Sequence, residues 1–145
     1  MSEIDTLTAL LTQRYSCRAF LPDAIDSTVI EQIVRTAQRV PSWCNAQPWQ
    51  VEITQVDETD RLRHALYKHA HSAPHQSDIA FPQRYAGQYR DRRRECGFAL
   101  YDALGIAKGD RDASRVQMME NFRFFGAPHV ALITTEADLG PYGLL

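Results

Sequence analysis

The chain has 145 residues, of which 44% are hydrophobic and 23% charged, and its formal net charge is -2. These are values of an ordinary globular protein long enough for a core, so disordered and collagen-like classes are excluded. A near-neutral balance gives no global field towards nucleic acid or an anionic membrane, and neither is expected as a partner.

Ile4, Leu7, Leu10 and Leu11 recur at helical spacing, which predicts an amphipathic helix over residues 3 to 13. Its end delivers Arg14-Tyr15-Ser16-Cys17-Arg18-Ala19-Phe20, two guanidiniums and a hydroxyl close together. Pro22 then breaks the chain. Thr28 and Glu31 have capping-box spacing, and Ile30, Ile33, Val34 and Ala37 form a stripe, predicting a second helix from about 28 to 39. Pro41 stops it by pushing the preceding residue out of the helical region. The turn-rich stretch Pro41-Ser42-Trp43-Cys44-Asn45-Ala46-Gln47-Pro48-Trp49 follows, and the alternation of Trp49, Val51 and Ile53 predicts a strand running to about Val56.

Asp60 is placed to cap a helix over residues 61 to 70. His71 to Gln83 holds Pro74 and Pro82, keeps no sustained period, and reads as a loop or lid. Tyr85 to Leu104 reads as a long charged helix with Tyr89, Phe98, Tyr101 and Leu104 towards the core and Gly105 at its C-terminal cap. Its basic run, Arg90 to Arg94, is broken by Asp91 and followed by Glu95, and reads as a solvated face. Asp110 is placed to cap a further helix to about Phe125, and Val130 to Thr135 reads as a buried strand.

Two short strands among about five helices imply an α+β fold with a small mixed or antiparallel sheet. The closing turn and apolar run from Gly140 look like the front of a larger domain. With no repeat or linker to divide it, residues 1-145 are expected to form a single, incomplete domain. Cys17, Cys44 and Cys96 are odd in number and lack CxxC or zinc-type spacing, so neither a disulfide framework nor a metal centre is expected. The N-terminus is acidic, and no run approaches the ~18 apolar residues of a membrane span, so the chain reads as cytoplasmic.

Fourteen of the sixteen basic residues are arginine, the side chain suited to paired contacts with oxyanions. Two readings of the motif residues stand at this point. Arg14 and Arg18 suit an anionic ligand and also suit a helix C-terminus. Ser42, Asn45 and Gln47 suit a ligand and also suit the local bonds of their own turn.

At these two segments the chain resembles the FMN-dependent nitroreductase family, whose N-terminal signature is an Arg-x-Ser-x-Arg-x-Phe helix end followed by a Pro-Ser-x-x-Asn-x-Gln-Pro-Trp turn. A third stretch, Asn121-Phe122-Arg123-Phe124-Phe125-Gly126-Ala127-Pro128, resembles the segment that a bacterial subgroup places before its second strand. The resemblance covers essentially the whole chain and implies a nitroreductase-like fold. It also implies FMN as cofactor, NADH or NADPH as reductant, and ping-pong hydride transfer to nitroaromatic or quinone-like acceptors, with no side chain acting as nucleophile.

By the same resemblance, Arg14 holds the flavin phosphate, Tyr15 and Ser16 lie along the phosphate and ribityl region, and Arg18 lies beside N1 and the C2 oxygen of the ring. Asn45 and Gln47 offer amides to the pyrimidine edge or the ribityl hydroxyls. Pro41 belongs with this group, and Ser42 and Asn45 face the flavin of a partner chain, which implies a homodimer. Asn121 is carried over as a ring-edge contact and Arg123 as a second cation near N1. Family members continue beyond the point where this sequence stops, so the alternative expectation is a truncated, non-catalytic flavin-binding or interaction remnant.

Overall fold

The computed structural model describes residues 2-143 apart from 75 and 78. Helix α1, Glu3–Gln13, opens on a capping box in which Ser2 Oγ accepts the Asp5 N–H at 3.2 Å and the Asp5 carboxylate accepts the Ser2 N–H at 2.8 Å. Helix α2, Ser27–Ala37, is capped by Asp26 rather than by Thr28. The Asp26 carboxylate accepts from both the Thr28 N–H at 2.8 Å and the Thr28 hydroxyl at 2.6 Å, so Thr28 lies inside the first turn. Hydrogen bonds from Ser2 and Thr28 hold the carboxyls of Asp5 and Asp26 below their ordinary range.

Strand β1, Gln50–Ile53, pairs antiparallel with β2, Ala131–Thr134, in a register that sets Gln50 opposite Thr134 and Ile53 opposite Ala131. β1 ends before Val56 because the chain turns straight into helix α3, Val56–Ser72, through a capping box of Gln55 and Glu58. Asp60 is therefore not the cap. It sits one turn inside and pairs with Arg63. α3 also takes in His71 and Ser72, the start of the expected loop. The described part of that loop forms neither helix nor strand, while His75 and Asp78 lie outside the described residues.

Helix α4, Gly87–Ala103, ends as expected at Gly105, whose φ of 68° is a left-handed conformation that glycine adopts at little cost. Helix α5, Arg111–Met119, is capped by Asp110, which accepts the Ala113 N–H at 2.9 Å. It does not run to Phe125. Glu120–Gly126 is a 3-10 segment that ends in three successive left-handed residues, Phe124, Phe125 and Gly126, at φ 54°, 51° and 82°. Left-handed backbone disfavours bulky side chains, so an α-helix cannot continue through the two phenylalanines.

The elements that pack together are β1 with β2, α3 with the 120-126 segment, and α5 with that same segment. A polar knot joins them. Thr59, fully buried, places its Oγ1 2.8 Å from the Pro128 carbonyl, 2.9 Å from the Gln55 carbonyl and 2.5 Å from the Thr54 hydroxyl, which accepts the Val130 N–H at 3.0 Å. His129 staples the same region: its Nδ1 lies 2.9 Å from the Thr54 carbonyl and its Nε2 accepts the Ile25 N–H at 3.0 Å. Those partners fix the neutral tautomer with the proton on Nδ1.

Elsewhere the burial expected from the sequence is absent. Tyr101 is half-buried, but Tyr89 is 62% exposed and Phe98 and Leu104 are exposed too. β2 is not a buried strand, since Leu132 and Ile133 both face outward. The apolar row of α1 is likewise exposed, in α2 Ile33 is exposed while Ile30 and Val34 are half-buried, and Met119 is the buried hydrophobic side chain among the described residues. The accessible surface is 12675 Å², against the roughly 7,600 Å² that a compact monomer of 16.5 kDa exposes. The periodicities marked faces that can be buried, and the described residues supply little opposing surface for α1, α2 and α4.

Candidate functional site

Arg14 takes extended backbone angles and ends α1, so residues 14-20 run as an open strap rather than a fourth helical turn. The strap is anchored at its far end, where the Phe20 N–H donates to the Phe125 carbonyl at 3.1 Å. That carbonyl belongs to the left-handed bend at 124-126. The first and third sequence segments, distant along the chain, are thereby joined by a backbone hydrogen bond.

The bond closes one side of a cleft of about 280 Å³ whose walls include Arg18, Phe20, Arg63, Glu120, Arg123 and Phe125. Three guanidinium-bearing side chains thus meet one carboxylate, and the lining favours an anion. The three arginines are not equivalent. Arg123 Nη1 donates to Glu120 Oε1 at 3.1 Å while its guanidinium lies 5.9 Å from the centre of the Tyr67 ring, so part of its charge is already answered. Arg63 is committed to the fold: Nε donates to the Arg123 carbonyl at 2.9 Å, Nη2 to the Ala127 carbonyl at 2.7 Å, and Nη1 pairs with Asp60. Among the described residues Arg18 has a single weak bond, to the Ser16 carbonyl at 3.4 Å, and is exposed.

Of the residues singled out in the sequence, the cleft brings together Arg18 and Arg123. Arg14, Tyr15 and Ser16 lie on the exposed strap leading to it, and Arg14 has no ion pair among the described residues. Asn121 is also exposed, and its amide nitrogen donates to the Met118 carbonyl at 2.8 Å, closing the end of α5. Arg63 was missed because Asp60 was read as a helix cap. The signal for it was the three-residue spacing from Asp60 to Arg63 on one helix face.

The second segment lies apart from the cleft lining. Pro41 leads into a 3-10 turn, Trp43–Asn45, in which Ser42 Oγ accepts the Gln47 N–H at 2.9 Å. Cys44, Asn45 and Gln47 have φ of 51°, 54° and 47°, left-handed values at three non-glycine residues. Such positions carry strain of order 1 kcal/mol each, least for asparagine. The local-turn reading of Ser42 therefore holds in part, yet its hydroxyl hydrogen remains available to a ligand. The turn leaves Asn45 and Gln47 exposed. Cys44 is exposed too; Cys17 is half-buried and its Sγ donates to the Ala19 carbonyl at 3.0 Å.

No helix among the described residues is long and apolar enough to cross a membrane. The model of the Nitroreductase family matches residues 11-142. Nitroreductase NfnB of Mycolicibacterium smegmatis is 38% identical over 144 residues, an alignment spanning 92% of this chain and 61% of that protein. The 4-nitrobenzoate reductase of Pseudomonas putida is 34% identical, across 97% of this chain and 62% of its own length. The crystal structure of the FMN-dependent nitroreductase NfnB from Mycobacterium smegmatis in complex with NADPH superposes with a TM-score of 0.90 and 30% identity, covering 99% of this chain and 65% of that one. The chain spans about three-fifths of the length of the curated relatives it matches.

Proposed function

The chain belongs to the nitroreductase family and has its α+β fold, and from that premise we propose that it is the flavin-holding part of an NAD(P)H-dependent oxidoreductase acting on nitroaromatic or quinone-like acceptors. The observation that carries this reading is the meeting of Arg18 and Arg123, from two separate motifs, in one arginine-lined cleft. NADPH is the favoured reductant, because the superposable relative was crystallised with it, and the relatives named for nitrobenzoate reduction point to a nitroaromatic acceptor. The free thiols and the absence of a spanning helix among the described residues support work in the cytoplasm.

The donor set fits FMN. Arg14 and Arg18 have no carboxylate partner among the described residues, and guanidiniums without one suit a phosphate dianion and a polar ring edge. FMN, when bound, supplies the carriage of a hydride from the reductant to the acceptor. The protein's part is to bind and orient. Arg14 and Ser16, with Tyr15 beside them, would hold the phosphate and ribityl chain, while Arg18 and Arg123 would place positive charge beside the pyrimidine end of the ring. Asn121, on the same segment as Arg123, adds an amide at the ring edge.

Ser42 and Asn45, presented by the strained turn after Pro41, would serve a second flavin site across a homodimer, and Gln47 would offer its amide to the pyrimidine edge or the ribityl hydroxyls. Their absence from the cleft lining and the exposed apolar faces of α1 and α2 support that division. In this reading residues 1-145 belong to one flavin-binding domain, incomplete without a second surface. The test is to supply FMN to the purified chain and follow flavin fluorescence and NADPH oxidation. Quenching of the flavin with acceptor-dependent turnover is expected. Quenching with NADPH oxidised no faster than by free FMN would support the non-catalytic alternative, and unquenched flavin would overturn both.

A further inference from the structure

We propose that Arg63 is the positioning residue of the flavin site: it clamps the left-handed bend at 124-126 and so sets where both Arg123 and Arg18 stand. The proposal rests on the flavin reading above and names a residue which that reading does not use. Arg63 reaches from α3 to the carbonyls of Arg123 and Ala127, the residues on either side of the bend. Two phenylalanines in left-handed conformation do not hold themselves there, since that backbone is unfavourable for bulky side chains. Something must over-determine the bend.

Arg63 is suited to do so. Its side chain is 18% exposed, it is aimed by Asp60 one turn earlier, and its planar fork gives two carbonyls separate donors at 2.9 and 2.7 Å. The consequences reach both flavin cations. Arg123 is held through its own carbonyl by Arg63 and through its guanidinium by Glu120, with the Tyr67 ring from the next turn of α3 beneath it. Phe125, in the middle of the bend, offers the carbonyl that anchors Phe20, two residues beyond Arg18. Releasing the bend therefore loosens the 14-20 strap as well as the 120-126 segment. Arg63 touches neither phosphate nor ring in this account; it acts through other residues.

The experiment measures FMN affinity by fluorescence, and the midpoint potential of the bound flavin, in the full chain and in Arg63→Met, Arg63→Lys and Thr59→Val. Thr59→Val breaks the neighbouring polar knot and serves as the control for stability loss. Arg63→Met is expected to weaken FMN binding roughly tenfold or more, the worth of one misplaced charge-assisted contact. The bound flavin should also become harder to reduce, because a cation has moved off the ring edge. Thr59→Val, with a comparable loss in melting temperature, should weaken binding distinctly less than Arg63→Met, because Thr59 bonds Pro128 beyond the bend and not the carbonyls of Arg123 and Ala127.

Lysine brings one ammonium and can serve only one of the two carbonyls, so Arg63→Lys should fall between wild type and Met. If Met does not fold, Lys alone decides the matter: weakened binding at near-normal melting supports the proposal, and wild-type binding overturns it. Equal losses in Arg63→Met and Thr59→Val, or an unchanged potential, would show that Arg63 merely stabilises the fold. Failure of the unaltered chain to bind FMN would remove the flavin reading itself, and with it this proposal.

Discussion

Two parts of the molecule treat their surfaces in opposite ways. Around Thr59, Arg63 and His129, every named polar group finds a partner within the chain, and α3, β1, β2 and the 120-126 segment close on one another. In α1, α2 and α4, by contrast, many large apolar side chains, Leu7, Leu10, Ile33, Tyr89 and Phe98 among them, stand exposed. The first part is specified by hydrogen bonds that need particular atoms at particular distances. The second is specified only by pattern, and a pattern of apolar residues asks for another surface without naming it. The candidate cleft sits at the edge of the first part, where geometry is most tightly determined.

The contrast breaks most readily at the knot. Arg63→Met removes two charge-assisted bonds from a mostly buried side chain and should lower stability by about 2 to 3 kcal/mol, read as a shift in the urea midpoint. Thr59→Val keeps shape but takes the hydroxyl partner from the Pro128 carbonyl, and about 2 kcal/mol is expected in the same measurement. Substitutions on the outlying faces should behave differently. Leu10→Ser or Ile33→Thr should change the unfolding free energy of the monomer by no more than about 0.5 kcal/mol, yet weaken self-association and reduce binding of a hydrophobic dye. A loss as large as that at Thr59 would show that these faces are already buried.

The smallest effect concerns the helix caps. Hydrogen bonds lower the Asp26 carboxyl below its ordinary range, so the cap's contribution is present above that range and is lost as pH falls through the lowered value. Circular dichroism should show the start of α2 fraying in acid. Asp26→Asn, which still caps but cannot titrate, should keep the helix and lose the acid step. An acid step of the same size in the variant would assign it elsewhere.

Much of this was legible in the sequence, and the misses have physical causes. Periods, apolar runs and capping residues located the five α-helices and two strands found among the described residues, because each is a local property. Burial was not legible, because a stripe such as that of α4 says which face can be buried and nothing about what covers it. The helix expected to reach Phe125 stopped at Met119, since the left-handed bend is imposed by contacts with Arg63 and Phe20 that lie far away in sequence. Arg18 and Arg123 were recognisable from their motifs. Arg63 was hidden because its partners are main-chain carbonyls, which every residue has.

In the proposed function the arginine-lined cleft and the strap form a flavin cradle, while the outlying faces bring two chains together around it. Sedimentation velocity of the chain with equimolar FMN, recorded at both a protein and a flavin wavelength, tests this directly. Flavin absorbance is expected to move with a boundary of twice the chain mass. Flavin left at the slow boundary of the free cofactor, whatever the protein does, would contradict it.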